Sequence, residues 1–355
     1  MKAVQLDKIG SVTRACNLKR EVRLSDDIPC EEGVVVAVRV LNDKNTYNTI
    51  ELPSGRMAQV KKGDLVAGAL GHRKALFGYS GHLPASLAPG DQINLLNIGG
   101  VLGVCDSINP DLGRPFACEV LGSVLHFPYL GERIGVPARI GEERLDLAAP
   151  LDAAGVPVLA LVGTCMNAGK TAAACALVRE MSHAGWTIDA LKATGVSLRR
   201  DVLAMEDAGA RRTGLFTDLG VVSTTARVAP ALARTLISRL AHERPDAIVA
   251  ELGDGLLGAY GVDAILEAED LRRSFTAVVL AANDPVAAWG GVRLLREEYG
   301  LEPTAVTGPA TDNLVGVQQI EARLGVPAIN ARTDAPRLAR LVLAKLGLPE
   351  REERG

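Results

Sequence analysis

Two patterns of apolar and polar positions divide the chain. Up to about residue 148 the apolar residues come in short β-branched runs broken by glycine. Residues 33–41 form one such run, and residues 49–60 predict a hairpin turning at Pro53-Ser54-Gly55. The turns Lys62-Gly63-Asp64 and Pro89-Gly90-Asp91 each launch another strand, at 65–70 and 93–96. With no long amphipathic helix among them, residues 1–150 predict a smaller β-rich domain, barrel- or sandwich-like.

Residues 140–156 are charged and then rich in Ala and Pro, the composition of a linker. Beyond them, apolar runs of strand length alternate with amphipathic stretches of helix length. Strands are predicted at 156–162, 188–193, 247–252, 277–282, 305–307 and 326–329. Helices are predicted at 170–183, 228–242, 285–299, 313–324 and 335–346. The alternation implies an α/β domain over 151–348, a doubly wound, mostly parallel sheet with helices on both faces. The tail, 349–355, is charged and expected to fray.

The strongest chemical signal lies where the first of these strands meets the first helix. Gly163-Thr164-Cys165-Met166-Asn167-Ala168-Gly169-Lys170-Thr171 is a glycine-bounded loop ending in Lys-Thr. Backbone N–H groups of such a loop and of the helix N-terminus point at phosphate. Lys170 supplies a mobile positive charge for phosphate oxygens, and Thr171 offers a hydroxyl to Mg²⁺. Lysine usage adds a second signal. From residue 151 onward there are three lysines (Lys170, Lys192, Lys345) against nineteen arginines. Two of the three fall at the C-terminal ends of the first two strands, where parallel sheets bind ligands.

Composition narrows the classes. The chain has 355 residues, 48% hydrophobic and 23% charged, which is a globular balance long enough for two domains. A net charge of −3 without a basic run argues against nucleic acid as a partner. No apolar stretch reaches the roughly 18 residues that span a bilayer, and the N-terminus lacks a signal-peptide pattern. Six scattered cysteines without a C-x-x-C pair suit reduced thiols and hence a cytoplasmic location.

The loop resembles that of the SIMIBI class of P-loop proteins, particularly dethiobiotin synthetase and the cobyrinic-acid amidating synthetases. Their loop, G-T-D-x-x-V-G-K-T, has the same length as Gly163–Thr171. Their lysine, small hydroxyl and glycine after the second strand resemble Lys192-Ala193-Thr194-Gly195. Asp201 and Glu251-Leu252-Gly253-Asp254-Gly255 resemble the later acidic segments. A looser similarity links the chain to P-loop proteins associated with N-acylation of D-glutamate, which also carry Thr-Gly after strand two. The resemblance covers residues 157–330 and implies activation of a carboxylate or carbamate by phosphorylation. It also implies that Thr171, Asp201 and Glu251 surround Mg²⁺, that Lys170 and Lys192 act on the transferring group, and that substrate sits at a homodimer interface. The chain departs from the family in the loop, where Cys165 replaces Asp and Ala168 replaces Val, and at the acidic strand end, which reads Glu-Leu-Gly-Asp-Gly rather than Glu-Gly-Ala-Gly-Gly.

Other residues carry two readings each. Asp201 is either a helix N-cap or a metal ligand. Asp254 is either a turn former or a ligand to Mg²⁺ or its water. Glu251 closes a buried apolar run, where an unpaired carboxylate is costly, which favours a functional role. Asn283 follows a strand and serves either a turn or a base or ribose contact, and residues 308–313 follow the next strand in a region where related proteins meet the purine. ATP is expected rather than GTP, because no Asn-Lys-x-Asp guanine signature occurs. The basic, Gly-rich stretch 73–81 is expected to be a hairpin.

The expected function is an ATP- and Mg²⁺-dependent kinase or ligase. It would transfer a phosphoryl group to a carboxylate or similar oxyanion of a small, anionic substrate held or covered by the β-rich domain. The alternative is a nucleotide-switched ATPase acting as a maturation or client-binding protein. Partitioning-type switches place a signature lysine five residues before the loop lysine, where this chain has Cys165.

Overall fold

Strand Val35–Val40 shows why the first part of the chain is so rich in β-branched residues. Its side chains alternate between two buried clusters, Val35 and Ala37 in one and Val36, Val38 and Val40 in the other. A strand covered on both faces needs an apolar residue at every position, not at every second one.

The computed structural model describes residues 1–348 except 130, 132, 133, 142 and 144, so the tail expected to fray, 349–355, lies outside the described residues. The chain divides into two units. The first comprises Met1–Arg144, Val196–Arg200 and Phe216–Ser223. The second comprises Leu145–Gly195, Asp201–Leu215 and Thr224–Gly355.

The first unit is built on a mixed sheet of 11 strands. Its main path runs Lys2–Gln5, Glu21–Ser25, Phe116–His126, Val35–Val40, Leu65–Leu70, Val101–Ile108, Tyr79–His82, Arg73–Lys74. The hairpin expected at 49–60 forms as Thr49–Glu51 paired with Met57–Gln59. The stretch 73–81 forms a hairpin as well. The two later segments are held to this unit by backbone donors that find side-chain acceptors. Glu51, fully buried, accepts from the amides of Arg199 (2.8 Å) and Arg200 (2.7 Å). Glu32 Oε1 accepts from Val222 N (3.0 Å) and Ser223 N (3.2 Å). In return Asn97 Nδ2 donates to Ser197 O at 2.7 Å. Such contacts between residues some 100–190 positions apart leave no periodic trace in sequence.

In the second unit the strands are β1 (Val158–Gly163), β2 (Ile188–Thr194), β3 (Thr213–Leu215), β4 (Ala247–Leu252), β5 (Phe275–Ala281) and β6 (Ala305–Thr307). The helices are α1 (Lys170–His183), α2 (Arg200–Asp207, whose first residue groups with the first unit), α3 (Ala229–His242), α4 (Val262–Glu267), α5 (Glu269–Ser274), α6 (Pro285–Glu297), α7 (Leu314–Leu324) and α8 (Ala335–Leu346). All neighbouring strands pair in parallel, in the order β3-β2-β4-β1-β5-β6. This is the parallel α/β sheet expected for residues 151–348. Leu177, Val178 and Met181 of α1 and Leu338, Val342 and Leu343 of α8 share one core cluster with Leu159, Leu161, Val249 and Val279 of the sheet.

One predicted strand, 326–329, is reduced to an isolated bridge between Val306 and Ala328. Pro327 has no N–H, so the edge can take only part of a ladder. All six cysteines are free. Among the described residues, no helix is long and apolar enough to cross a membrane.

Candidate functional site

The parallel sheet brings the C-terminal ends of β1, β2 and β4 side by side, and most of the singled-out residues lie on those ends. β4 pairs with β1 on one side and β2 on the other, with Glu251 opposite both Leu161 and Lys192. Three segments distant in sequence thereby deliver their chemistry to one edge.

The phosphate loop turns tightly between β1 and α1. Gly169, at the α1 N-cap, has φ 95° and ψ 13°, a left-handed conformation that glycine adopts without steric cost. Gly163 leaves room for Lys170: a Cβ there would lie 2.8 Å from the ammonium nitrogen. Lys170 folds back over its own loop and donates to Cys165 O at 2.8 Å and to Asp254 O. Burial pushes its pKa below the ordinary lysine value, against the pull of Glu251 and Asp254. Gly255 packs so closely on the loop that a Cβ would sit 2.7 Å from Cys165 Cα.

Around Glu251 the polar groups converge. Thr171 Oγ1 donates to Glu251 Oε1 at 3.1 Å, and Lys192 Nζ lies 3.5 Å from that same oxygen. Lys192 also donates to Asp201 Oδ2. Burial alone would lower the Lys192 pKa, but Glu251 and Asp201 outweigh it and hold the ammonium above its ordinary value. Glu251 is 1% exposed, and its Oε2 has no hydrogen-bond partner among the described residues. Thr164 Oγ1 is likewise buried without a hydrogen-bond partner among the described residues.

Asp201 is the second residue of α2, inside its first turn, so it is not the N-cap. The capping acceptors for Arg199 and Arg200 come from Glu51 instead. Asp254 is buried in the loop after β4 and meets Lys170 through its backbone carbonyl. Asn283 turns its amide to Cys165 Sγ at 2.8 Å. Met166, Asn167 and Ala168 complete the loop, with Asn167 itself in the left-handed region at φ 63°.

Beside the loop lies a cavity of about 280 Å³, lined by Asn167, Gly169, Thr307, Gly308, Asp312 and Asn330 among others. Asn330 is buried and fully engaged. Its Nδ2 donates to Asp312 Oδ1 at 2.8 Å, while its Oδ1 accepts from Arg332 N and Thr333 N. The segment 308–313 was legible as a loop after a strand. Asn330 was not singled out, although its place directly after the apolar run 326–329 is a strand-end signal of the same kind. Asn283 is not among the residues lining this cavity.

Among the described residues, no group of three or more His, Cys, Asp or Glu forms a self-sufficient metal cage. The oxygen set of Thr171, Asp201 and Glu251, with one buried oxygen of Glu251 unmatched, nonetheless fits Mg²⁺. That ion prefers hard oxygen ligands and is held by one or two carboxylates together with phosphates and water.

No family model matches the chain, and no curated protein matches it. Among solved structures it is similar to the signal recognition particle receptor FtsY from Elizabethkingia anophelis, at 16% identity over 48% of this chain and 57% of that one, TM-score 0.36. It is also similar to the 54 kDa signal recognition particle protein from Aeropyrum pernix, solved with GDP, at 17% identity over 58% and 49%, TM-score 0.38. A third is a DUF1611 family protein from Anabaena variabilis, at 16% identity over 59% and 63%, TM-score 0.38. The chain thus spans less than two thirds of each of these three proteins.

Proposed function

We propose that the second unit binds ATP with Mg²⁺ and transfers the terminal phosphoryl group to a carboxylate or similar oxyanion of a small anionic substrate. The observation that carries this reading is the meeting of Lys170, Thr171, Lys192, Asp201 and Glu251 at one edge of the sheet, beside a glycine-bounded phosphate loop. Phosphoryl transfer depends on positioning and on cations at the phosphate oxygens rather than on covalent chemistry by the protein.

Bound at this edge, Mg²⁺·ATP supplies the phosphoryl group and the Lewis acid. The amides of residues 164–171 hold phosphate, since a glycine-lined turn followed by a helix N-terminus directs N–H groups at an anion. Lys170 and Lys192 bring positive charge to the transferring group. Thr171, Asp201 and Glu251 offer oxygens to the metal. The cavity beside Gly169, lined by Thr307, Asp312 and Asn330, accepts the base. The burial of Lys170 and Lys192 strengthens their effect, because charges act more strongly where water is excluded.

The test is calorimetry of ATP, ADP and GTP with Mg²⁺ on wild type and Lys170→Ala. ATP binding that weakens by about 10- to 100-fold in the variant, the range for a lost charged hydrogen bond, supports the reading. Screening carboxylate metabolites for ADP release then identifies the acceptor. Absence of ATP binding by folded wild type defeats the proposal. ATP hydrolysis that no acceptor stimulates favours the nucleotide-switched alternative.

A further inference from the structure

Lys192 holds a position that the proposed chemistry needs for something else. Lys192 is only 9% exposed, and its ammonium contacts both Asp201 Oδ2 and Glu251 Oε1, the two carboxylates read above as facing the divalent cation. The Glu251 oxygen it faces at 3.5 Å is the same one that accepts the Thr171 hydroxyl at 3.1 Å. The oxygens read as metal-side groups are thus gathered around a cation that belongs to the chain.

Electrostatics explains the arrangement. Two carboxylates brought together in a buried site repel, and one of them tends to take up a proton unless a cation lies between them. A divalent ion and the ammonium cannot occupy the same oxygens at full strength. A bare metal ion must therefore displace Lys192 before it binds. A triphosphate changes the balance, because it offers the ammonium other anionic oxygens and brings its own metal.

We propose that Lys192 is the resident counter-ion of this site, its ammonium holding the place of the divalent cation until nucleotide arrives. This rests on the reading of Asp201 and Glu251 as metal-side groups. It adds an order of events: free enzyme resists bare divalent metal, and metal enters together with nucleotide as Lys192 moves to phosphate. A permanently closed structural ion pair is the competing account, and it predicts that wild type resists divalent metal with nucleotide present as well as without it.

The test uses Mn²⁺ alone, titrated by the loss of its free electron-paramagnetic signal, with no nucleotide present. Wild type is expected to bind Mn²⁺ weakly, and Lys192→Met at least about ten-fold more tightly, because one buried positive charge beside the carboxylates is gone. Lys192→Arg keeps the charge and is expected to stay as weak as wild type. In EDTA, Lys192→Met is expected to melt below wild type and to be restored by Mn²⁺, whereas the wild-type melting temperature barely responds. Adding Asp201→Asn to Lys192→Met is expected to return the affinity toward the wild-type level.

Folded Lys192→Met that binds Mn²⁺ no better than wild type overturns the proposal, and so does Lys192→Arg that binds as tightly as Lys192→Met. Lys192→Gln provides the same comparison should the methionine variant not fold. Tight binding that Asp201→Asn leaves intact shows that the metal lies elsewhere, which removes the metal assignment as well. Because the titration contains no nucleotide, failure of ATP binding and failure of the counter-ion role are read separately.

Discussion

Gly308→Ala is expected to damage the second unit more than any ordinary loop substitution. Gly308 adopts φ 90° and ψ −167°, a region essentially reserved for glycine, where another residue costs about 1–3 kcal/mol. An added Cβ would lie 2.3 Å from Ala168 O, 2.9 Å from Ala282 O and 3.1 Å from Ala282 N. All three are backbone atoms, so no flexible side chain can move away, and overpacking of this kind costs about 1–3 kcal/mol more. The expected loss is therefore about 2–6 kcal/mol, less roughly 0.4–1 kcal/mol recovered by restricting the unfolded chain. Gly325→Ala is the control. It too has positive φ, 64°, but a Cβ there meets nothing within 4 Å, which isolates the conformational cost from the contact cost.

Both tryptophans of the chain, Trp186 and Trp289, lie in the second unit, so urea unfolding followed by tryptophan fluorescence reports on that unit. A Gly308→Ala midpoint within about 1 kcal/mol of the Gly325→Ala value would refute the argument, since the contact cost would then be absent. Ala168 belongs to the phosphate loop, so ATP affinity measured well below the melting temperature is also expected to fall in Gly308→Ala but not in Gly325→Ala.

Two further predictions concern the first unit. Glu51→Ala removes both acceptors of the Arg199 and Arg200 amides and is expected to cost about 1–3 kcal/mol for donors left unsatisfied. Hydrogen exchange across residues 196–200 measures it, and unchanged protection would exclude the capping role. Burial pushes the Cys118 thiol up to about 12 from an ordinary 9.0, so native protein at pH 8 holds it as unreactive thiol. Iodoacetamide followed by peptide mass mapping is expected to label Cys118 only after unfolding, and rapid labelling of the native chain would contradict its burial.

How much of this was present in the order of residues depends on how local each determinant is. The alternation of apolar strands with amphipathic helices placed α1, α3, α6, α7 and α8 within a few residues, because burial against a sheet imposes its period on every stretch of the helix. The phosphate loop was legible for a similar reason: strand, turn glycine, lysine and hydroxyl are contiguous and act within one turn of backbone. The β-branched run at 33–41 likewise announced a strand, and the structure shows it covered on both faces. Lys192 and Glu251 stood out as charges closing buried runs, which made each a candidate before any contact was known.

What the order of residues did not contain was adjacency. Only the parallel pairing of β2 and β4 puts Lys192 opposite Glu251, and only tertiary packing adds Asp201 to the same cluster. Hence the sequence nominated Lys192 as a catalytic cation, whereas the folded chain shows it bound to two carboxylates. The grouping of residues 196–200 and 216–223 with the first unit, and the capping of Arg199 and Arg200 by Glu51, were equally invisible. A cap supplied from about 150 residues away obeys no sequence spacing; it is decided only when the chain closes the loop between them.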